Sequence, residues 1–257
     1  MNALTDGQFW KAIWSTSADL SRYDNEKWVY RNYTYRRFHD VCRRHLNPDP
    51  AKTLLDVGCG VGDWSVYFHR VYGYAITALD ASPEAIAQAR ENFARQRIAA
   101  KVVAEDFFAH AGAYDVIYAG GFLEHFKDPG PVLAKMCSLL NDGGTLINWI
   151  PNLEGRTGAL LRRFDPGVFE THNVLADDVL MRCHAEAGFS GTTVCYDGAI
   201  CLNMVSRKGL NRGARAALKV AAKGTNLLCL GFRHLFYRME NRLLSPFKII
   251  VATKGSR

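Results

Sequence analysis

The sequence lacks the features that mark a zinc-ribbon, disulfide-stapled or membrane-spanning protein. Its seven cysteines are odd in number, and no two form a C-x-x-C pair, which indicates reduced thiols in a cytoplasm rather than a zinc site or a disulfide framework. No run approaches the roughly 18 apolar residues that a spanning helix needs. The N-terminal residues have no basic start followed by an apolar segment, so we expect no secretory signal and predict a cytoplasmic protein.

Acidic residues are scarce in one part of the chain only. Residues 207–257 hold twelve Lys or Arg and a single acid, Glu240, which is a net charge of +11. The other 206 residues hold 20 basic and 24 acidic side chains, a net charge of −4. The apolar content of 48% and charged content of 22% are those of a globular protein, and the length suits one α/β domain. The positive charge therefore belongs to the C-terminal region.

The chain has a glycine-rich turn, but not the fingerprint of dinucleotide-binding proteins. In place of G-x-G-x-x-G it has G-x-G-x-G at Gly58, Gly60 and Gly62, directly after the apolar run 54–57. A strand that turns into a helix through glycines lets the backbone approach a ligand, because no Cβ intervenes. Asp56 beside the turn suits a cationic group better than a pyrophosphate, so a pyridine-dinucleotide oxidoreductase is disfavoured.

Apolar runs and helical patterns alternate along the chain in the order of βαβ units. The runs predict strands at 54–57, 75–80, 101–106, 114–119, 145–150, 189–203 and 246–252. The patterns between them predict helices at 83–97, with Ser82 as N-cap, and at 131–140, 177–187 and 211–244. This order is typical of a doubly wound sheet, whose ligands bind at the carboxyl ends of the strands.

Several stretches, in the right order, resemble the motifs of the class I S-adenosylmethionine (SAM)-dependent methyltransferases, in the type 11/12-like branch that acts on small molecules or glycan precursors. They are LLDVGCGVGDW at 54–64, Asp80, EDF at 105–107, GGFLEHF at 120–126 and NDGGTL at 141–146. The resemblance implies a Rossmann-like α/β fold: a seven-stranded, mostly parallel sheet whose last strand joins antiparallel at its edge, an N-terminal helical cap and a helical insertion before the last strand. It divides the chain into a cap or lid (1–50), a SAM-binding core (51–206), a basic helical insertion (207–245) and a final core strand (246–257).

The resemblance also implies SAM as the cofactor and a set of residues that bind it. Asp80 follows the second predicted strand, where a carboxylate can accept hydrogen bonds from both ribose hydroxyls. Asp106 would accept from the adenine amine, and the amide of Phe107 would donate to the ring. Each aspartate could instead be an ordinary turn or capping residue. The full predicted set comprises Asp56, Gly58, Cys59, Gly60, Gly62, Asp80, Ala81, Asp106, Phe107 and Gly120.

Two histidines are candidate catalytic bases, because an imidazole titrates near neutral pH. His125 lies in the stretch after the fourth strand, where it could equally serve a structural or cofactor-side role. His172 lies after the fifth strand, where a substrate pocket is expected, and could equally be a loop histidine without a role. Glu124 could join both in a metal site, but no spacing in the sequence supports one, so we predict no metal.

The two ends of the chain leave alternatives open. The aromatic-rich residues 1–50 predict amphipathic helices that either cover one edge of the sheet or form a lid over the cofactor and substrate. In 212–244, a basic stripe (Arg212, Arg215, Lys219, Lys223) and an apolar stripe (Leu228, Phe232, Leu235, Phe236, Met239, Leu243) recur at helical spacing. This pattern predicts either a solvated face on helices packed over the active site, or peripheral membrane contact at the inner face or recognition of an anionic or lipid-linked substrate.

These observations predict a methyltransferase that acts on an oxygen of a small molecule or of a glycan- or lipid-linked precursor, with N-methylation of a small metabolite as the alternative. An RNA methyltransferase is disfavoured, because the tail aromatics lie on the apolar stripe rather than free for base stacking, and we expect no nucleic-acid partner. The complete glycine turn with Asp80 and Asp106 argues against a non-catalytic scaffold. No sequence feature indicates which oligomeric state the protein adopts.

Overall fold

The computed structural model of the protein describes residues 3–15, 25–198 and 211–255. Its strands are β1 (Thr53–Val57), β2 (Ala75–Asp80), β3 (Ala100–Ala104), β4 (Tyr114–Gly120), β5 (Leu140–Pro151), β6 (Phe189–Asp197) and β7 (Phe247–Lys254). They form one sheet in the order β3-β2-β1-β4-β5-β7-β6. The first five strands pair in parallel, and β7 runs antiparallel to both of its neighbours. The predicted α/β fold, with its mostly parallel seven-stranded sheet and antiparallel last strand, is confirmed.

The position of the last strand differs from the prediction in one respect. We expected β7 at the edge of the sheet, and this was wrong, because β7 lies between β5 and β6. The burial patterns give the physical reason: β7 is buried without interruption from residue 248 to 252, whereas β6 is buried only at its two ends and is exposed or half-buried between them. A strand covered on both faces has a continuous apolar pattern, and an edge strand tolerates exposure.

Helices cover both faces of the sheet. They are α1 (Gly7–Trp14), α2 (Asn25–Trp28), α3 (Tyr33–His45), α4 (Asp63–Tyr72), α5 (Pro83–Gln96), α6 (Gly130–Leu139), α7 (Arg156–Phe164), α8 (Pro166–Glu170), α9 (Asp177–Glu186), α10 (Arg212–Gly231) and α11 (Arg233–Met239). One apolar core joins α3, α4 and α5 to one face, and a second joins α6 and α9 to the other. Each face of the sheet is thus closed by its own layer.

Local sequence signals explain where several helices begin. The side chain of Ser82 accepts a hydrogen bond from the backbone amide of Ala85, as its predicted N-cap role requires. Asp6, Asn32 and Asn211 cap α1, α3 and α10 in the same way. An N-cap oxygen satisfies one of the free amides of the first helical turn and stabilises the helix by about 1 kcal/mol.

Two predicted elements have different bounds in the structure. The helix predicted over 211–244 is broken at Phe232, which ends α10 and begins α11, and the second piece stops at Met239. β6 ends at Asp197, and Gly198 follows in a left-handed conformation with φ +86°. The predicted continuation of this strand over 199–203 lies outside the described residues. Residues 204–210, where the predicted core ends and the predicted insertion begins, also lie outside them.

Among the described residues, no helix is both long enough and apolar enough to cross a bilayer. None of the six cysteines in the described ranges forms a disulfide, and Cys201 lies outside these ranges.

Candidate functional site

A cavity of about 550 Å³ opens where β1, β2 and β4 end. Its floor includes Gly58 after β1, Asp80 at the end of β2, Asp106 after β3 and Gly120 at the end of β4. Helix α1 forms the opposite wall with residues 7, 10, 11 and 14. The structure therefore brings the strand-end residues predicted from the sequence together in one site, opposite α1.

The three glycines of the turn are required by the backbone. Gly58, Gly60 and Gly62 have φ values of +67°, +53° and +71°, a left-handed conformation in which a side chain is strained. A Cβ on Gly58 would lie 2.9 Å from the Phe122 ring, and one on Gly60 would lie 2.7 Å from the Trp14 ring. Gly58 faces the cavity, while Gly60 and Gly62 shape the turn from outside its lining.

Asp80 ties the glycine turn to the second strand. Its carboxylate accepts hydrogen bonds from the backbone amide of Gly60 at 3.0 Å and from that of Ser82 at 2.8 Å. Burial raises the pKa of Asp80, and the two amide hydrogen bonds oppose this shift. Because each carboxylate oxygen has two lone pairs, both can still accept a hydrogen bond from a ligand in the cavity. Ala81 lines the cavity beside it.

Asp56 and Cys59 lie behind the cavity wall. Asp56 is 2% exposed and accepts a 2.6 Å hydrogen bond from the Ser65 hydroxyl, and burial raises its pKa to about 7. The amide of Cys59 donates to the carbonyl of Leu79 at 3.0 Å. Neither residue lines the cavity. Their predicted contact with a cofactor stays a prediction, and in the structure they hold the turn against β2 and α4.

The third strand contributes one polar and one apolar group. Asp106 is exposed to the cavity, and one of its carboxylate oxygens accepts a 2.8 Å hydrogen bond from the amide of Phe108. The Phe107 ring is buried and packs edge-on against Phe122, with 5.4 Å between the ring centroids. The side chain of Asp106 is thus oriented by its own turn, above an aromatic surface.

His125 marks the other end of the cavity. It closes the 3-10 turn Leu123–His125 and is 7% exposed, with the Trp10 ring perpendicular to it at a centroid distance of 4.9 Å. Its Nδ1 lies 2.9 Å from the carbonyl oxygen of Thr171, an acceptor only, so Nδ1 carries the proton and Nε2 keeps its lone pair. Burial, and then the charge of His172, lower its pKa to about 4, which makes it a weak general base.

His172 and Glu124 lie beside His125, although 47 residues separate the two histidines in the sequence. The imidazole centroids are 4.7 Å apart, and Nδ1 of His172 donates to the carbonyl of Val168 at 2.7 Å. Glu124 is 2% exposed, burial raises its pKa to about 8, and one of its carboxylate oxygens has no hydrogen-bond partner. His172 does not line the cavity itself. The fold therefore assembles three residues whose spacing along the chain does not indicate a metal site.

The sequence did not identify most of the lid contacts. Trp10 and Trp14 line the cavity from α1, and Phe122 and Phe126 line it from the loop after β4. The aromatic richness of the N-terminal residues was the available signal, and it left open whether they form a lid or cover the sheet. In the structure α1 lines the cavity, whereas α3 packs on the sheet, with Phe38 fully buried. A lid function of α1 stays a prediction.

Comparisons with known proteins agree with this geometry. The chain is 38% identical over 103 residues to the ubiquinone biosynthesis O-methyltransferase of Caulobacter vibrioides, an alignment that covers 38% of this chain and 40% of that protein. It is 29% identical over 101 residues to the 2-methyl-6-phytyl-1,4-hydroquinone methyltransferase of a Synechocystis species, covering 38% of this chain and 31% of that one. The similarity thus spans less than half the length of these relatives.

The fold is similar to that of solved methyltransferases. Phosphoethanolamine N-methyltransferase 2 of Haemonchus contortus, in complex with S-adenosyl-L-methionine, superposes with a TM-score of 0.65 at 15% identity, covering 97% of this chain and 60% of that one. Geranyl diphosphate C-methyltransferase of Streptomyces coelicolor superposes with a TM-score of 0.59 at 14% identity, covering 86% and 79%. A family model described as a methyltransferase domain matches residues 28–194. Since this match spans more than half of the chain, the chain belongs to the methyltransferase domain family.

Proposed function

We propose that the protein is a SAM-dependent methyltransferase that transfers a methyl group to a hydroxyl oxygen of a small molecule. The observation that carries this proposal is the Asp80 carboxylate, which is held by two backbone amides at the end of β2 and faces the cavity beside the glycine turn. Named relatives that methylate quinone precursors support oxygen as the acceptor atom. N-methylation of a small metabolite is the alternative.

The residues around the cavity fit SAM. Asp80 can accept from the ribose hydroxyls, and Asp106 from the adenine amine, because both carboxylates line the same wall. The absence of a Cβ at Gly58 leaves room for the ligand beside the ring of Phe122. SAM supplies a methyl group that its sulfonium already activates. The protein then has to bind, orient and exclude water, and orientation alone is worth several kcal/mol.

The acceptor would occupy the end of the cavity at His125. Trp10, Phe122 and Phe126 surround this end with aromatic surface, which suits a flat, largely apolar acceptor. The only cavity-lining imidazole in the described part of the chain is that of His125. We propose that His125 and its neighbour His172 act on the acceptor hydroxyl, whose proton must leave when its oxygen is methylated.

Methyl-labelled SAM tests the proposal. We expect the purified protein to transfer label from SAM to the small-molecule or lipid fraction of a host lysate, and 13C NMR of the product to show an O-methyl group. The Asp80→Asn variant, assayed at limiting SAM, should lose most of this label. An N-methyl product would select the alternative, label in RNA would reject a small-molecule acceptor, and no label in any fraction would reject the methyltransferase assignment.

We further propose that α10 and α11 dock on an anionic membrane surface. Asn226 attaches α10 to the N-terminal region by accepting from the amide of Tyr33 at 2.8 Å and donating to the carbonyl of Arg31 at 2.6 Å. Cys229 is fully buried on the same side of the helix. Large apolar residues of α10, of α11 and of the turns that follow each helix are exposed: Val220 (71%), Leu227 (69%), Leu228 (53%), Phe232 (60%), Leu235 (58%) and Leu243 (57%).

The basic residues of α10 indicate that an anionic lipid surface contacts the exposed apolar residues of α10 and α11. Arg212, Arg215, Lys219 and Lys223 are exposed and follow one another at helical spacing beside the apolar residues. An amphipathic helix of this kind lies in the interface, with its apolar residues in the headgroup region and its cations on anionic lipids. Such a position would also bring a lipid-linked acceptor to the protein.

Vesicle sedimentation tests the membrane contact. We expect the full chain to bind vesicles that contain phosphatidylglycerol and not vesicles of phosphatidylcholine alone, and the binding to weaken as salt rises. The double variant Leu227→Ser/Phe232→Ser should bind at least about tenfold less, since each buried apolar side chain contributes about 1.5–3 kcal/mol. Met181→Ser, at an exposed apolar residue of α9, is the matched control. Failure of the unaltered chain to bind either vesicle rejects this contact.

A further inference from the structure

We propose that Glu124, His125 and His172 form a binding site for a divalent transition-metal cation of the zinc class, at the acceptor end of the cavity. This departs from the absence of a metal expected from the sequence. Each residue offers one donor atom, and the three atoms lie within 4.8 Å of one another. The inference rests on the proposed function only for what the cation does there, and the site itself can be tested alone.

Both imidazoles are held in the form that a metal requires. Nδ1 of His125 donates to the carbonyl of Thr171, and Nδ1 of His172 donates to the carbonyl of Val168. Since a carbonyl cannot donate, each ring has its proton on Nδ1 and a free lone pair on Nε2. Metal-binding histidines are oriented in this manner, by a hydrogen bond from the second ring nitrogen to a backbone carbonyl or a carboxylate.

The third donor is a carboxylate with one oxygen that lacks a hydrogen-bond partner. Glu124 is 2% exposed, and its Oε2 makes no hydrogen bond. Across residues 3–15, 25–198 and 211–255, no Lys or Arg forms an ion pair with it. Burial makes the ionised form of such a carboxylate costly, so that either a proton or a cation is needed to neutralise it. A bound cation would take the place of the proton.

Hydrogen bonds hold the two parts of the site together. The amide of Asn173 donates to the carbonyl of Glu124 at 2.6 Å, and the Asn173 side chain donates to the carbonyls of Phe126 and Lys127 at 3.0 and 2.9 Å. His125 in turn donates to Thr171. The segment after α8 is thereby fixed against the turn after β4, so the donors are grouped before any cation binds.

The distances suit a small cation after a modest contraction. Ligand bonds of about 2.0–2.2 Å place the donors of a tetrahedral site about 3.4 Å apart. From the observed limit of 4.8 Å, no pair of donors would have to approach by more than about 1.4 Å. Two imidazoles with one carboxylate favour zinc-class cations over Mg²⁺ or Ca²⁺, which prefer oxygen ligands.

Three protein ligands leave a coordination position open, as in catalytic rather than structural zinc sites. Since His125 lines the cavity, this position would face the acceptor. A cation there would hold the acceptor's oxygen and favour loss of its proton to solvent. This would overcome the weakness of His125 as a base, because its lone pair would bind the metal instead of the proton.

Cobalt binding tests the site directly. The untagged full chain is freed of metal with a chelator and titrated with Co²⁺ alone, whose visible spectrum reports its coordination. We expect one equivalent to bind and Zn²⁺ to displace it. His172→Ala and Glu124→Gln should each weaken binding at least about tenfold. His234→Ala, at an exposed histidine on α11, should leave it unchanged. SAM binding by each variant shows that it is folded.

The outcomes separate the site from the reaction. No saturable Co²⁺ binding, or binding that His172→Ala and His234→Ala reduce equally, overturns the inference. Methyl transfer that survives both the chelator and His172→Ala overturns the role of the cation in the reaction, while leaving the methyltransferase proposal intact. Tight, His172-dependent cobalt binding by a protein that transfers no methyl group supports the site and rejects the proposed reaction.

Discussion

Replacing Asp80 with asparagine is expected to weaken SAM binding about 10- to 100-fold in a protein that still folds. Both carboxylate oxygens of Asp80 accept backbone amides, those of Gly60 and Ser82. An asparagine has one acceptor and one donor end, so its NH₂ group would face one of these N–H donors. The variant would also lose the charged acceptor for the ribose, and a hydrogen bond to a charged group contributes about 1.5–3 kcal/mol.

Calorimetry with S-adenosylhomocysteine, the product form of the cofactor, measures this effect. The matched control is Asp178→Asn, at an exposed aspartate in the first turn of α9, which should bind as the unaltered protein does. Thermal unfolding without ligand shows whether the variant is folded. An unchanged dissociation constant in a folded Asp80→Asn protein would contradict the ribose assignment and leave the cavity without its main polar contact.

The floor of the site could be predicted because it is built from local sequence. A strand end, a glycine turn and a helix start are neighbours along the chain, and parallel strands bring their carboxyl ends to one edge. Asp80, Asp106 and Gly120 therefore meet at the cavity as expected. Gly60 and Gly62 are needed for the backbone of the turn. The sequence did not indicate that these two residues shape the turn without lining the cavity.

The acceptor end could not be predicted, because it depends on contacts between distant segments. His172 reaches His125 only through the fold of α7, α8 and the loop that follows, a region in which the sequence pattern is weak. A metal-binding spacing is a local signal, and here the donors come from two separate loops. The role of α1 was similarly hidden, since an amphipathic pattern does not say which surface the helix covers.

Replacing Lys248 with methionine is expected to destabilise the protein by about 3 kcal/mol. The side chain of Lys248 is fully buried in β7, and its Nζ donates to Asp177 at 2.6 Å, to the carbonyl of Leu175 at 3.0 Å and to Glu154. Methionine fills a similar volume but removes the buried cation from both carboxylates, of which Glu154 keeps only the exposed Arg242 at 3.6 Å. Breaking a buried ion pair in this way costs about 3–5 kcal/mol. Partial exposure of Asp177 (37%) places the effect at the lower end.

Urea unfolding measures this loss against a control in the same strand. Lys254 is 17% exposed, donates to the carbonyl of Leu140 at 2.7 Å and lies 3.7 Å from Asp142, so Lys254→Met should cost about 1 kcal/mol or less. The triple variant Glu154→Gln/Asp177→Asn/Lys248→Met should recover part of the stability, because it leaves no uncompensated charge. Equal losses from Lys248→Met and Lys254→Met would show that the buried cation does not hold β7 to α9. The position of β7 between β5 and β6 would then depend on the apolar residues of β7 alone.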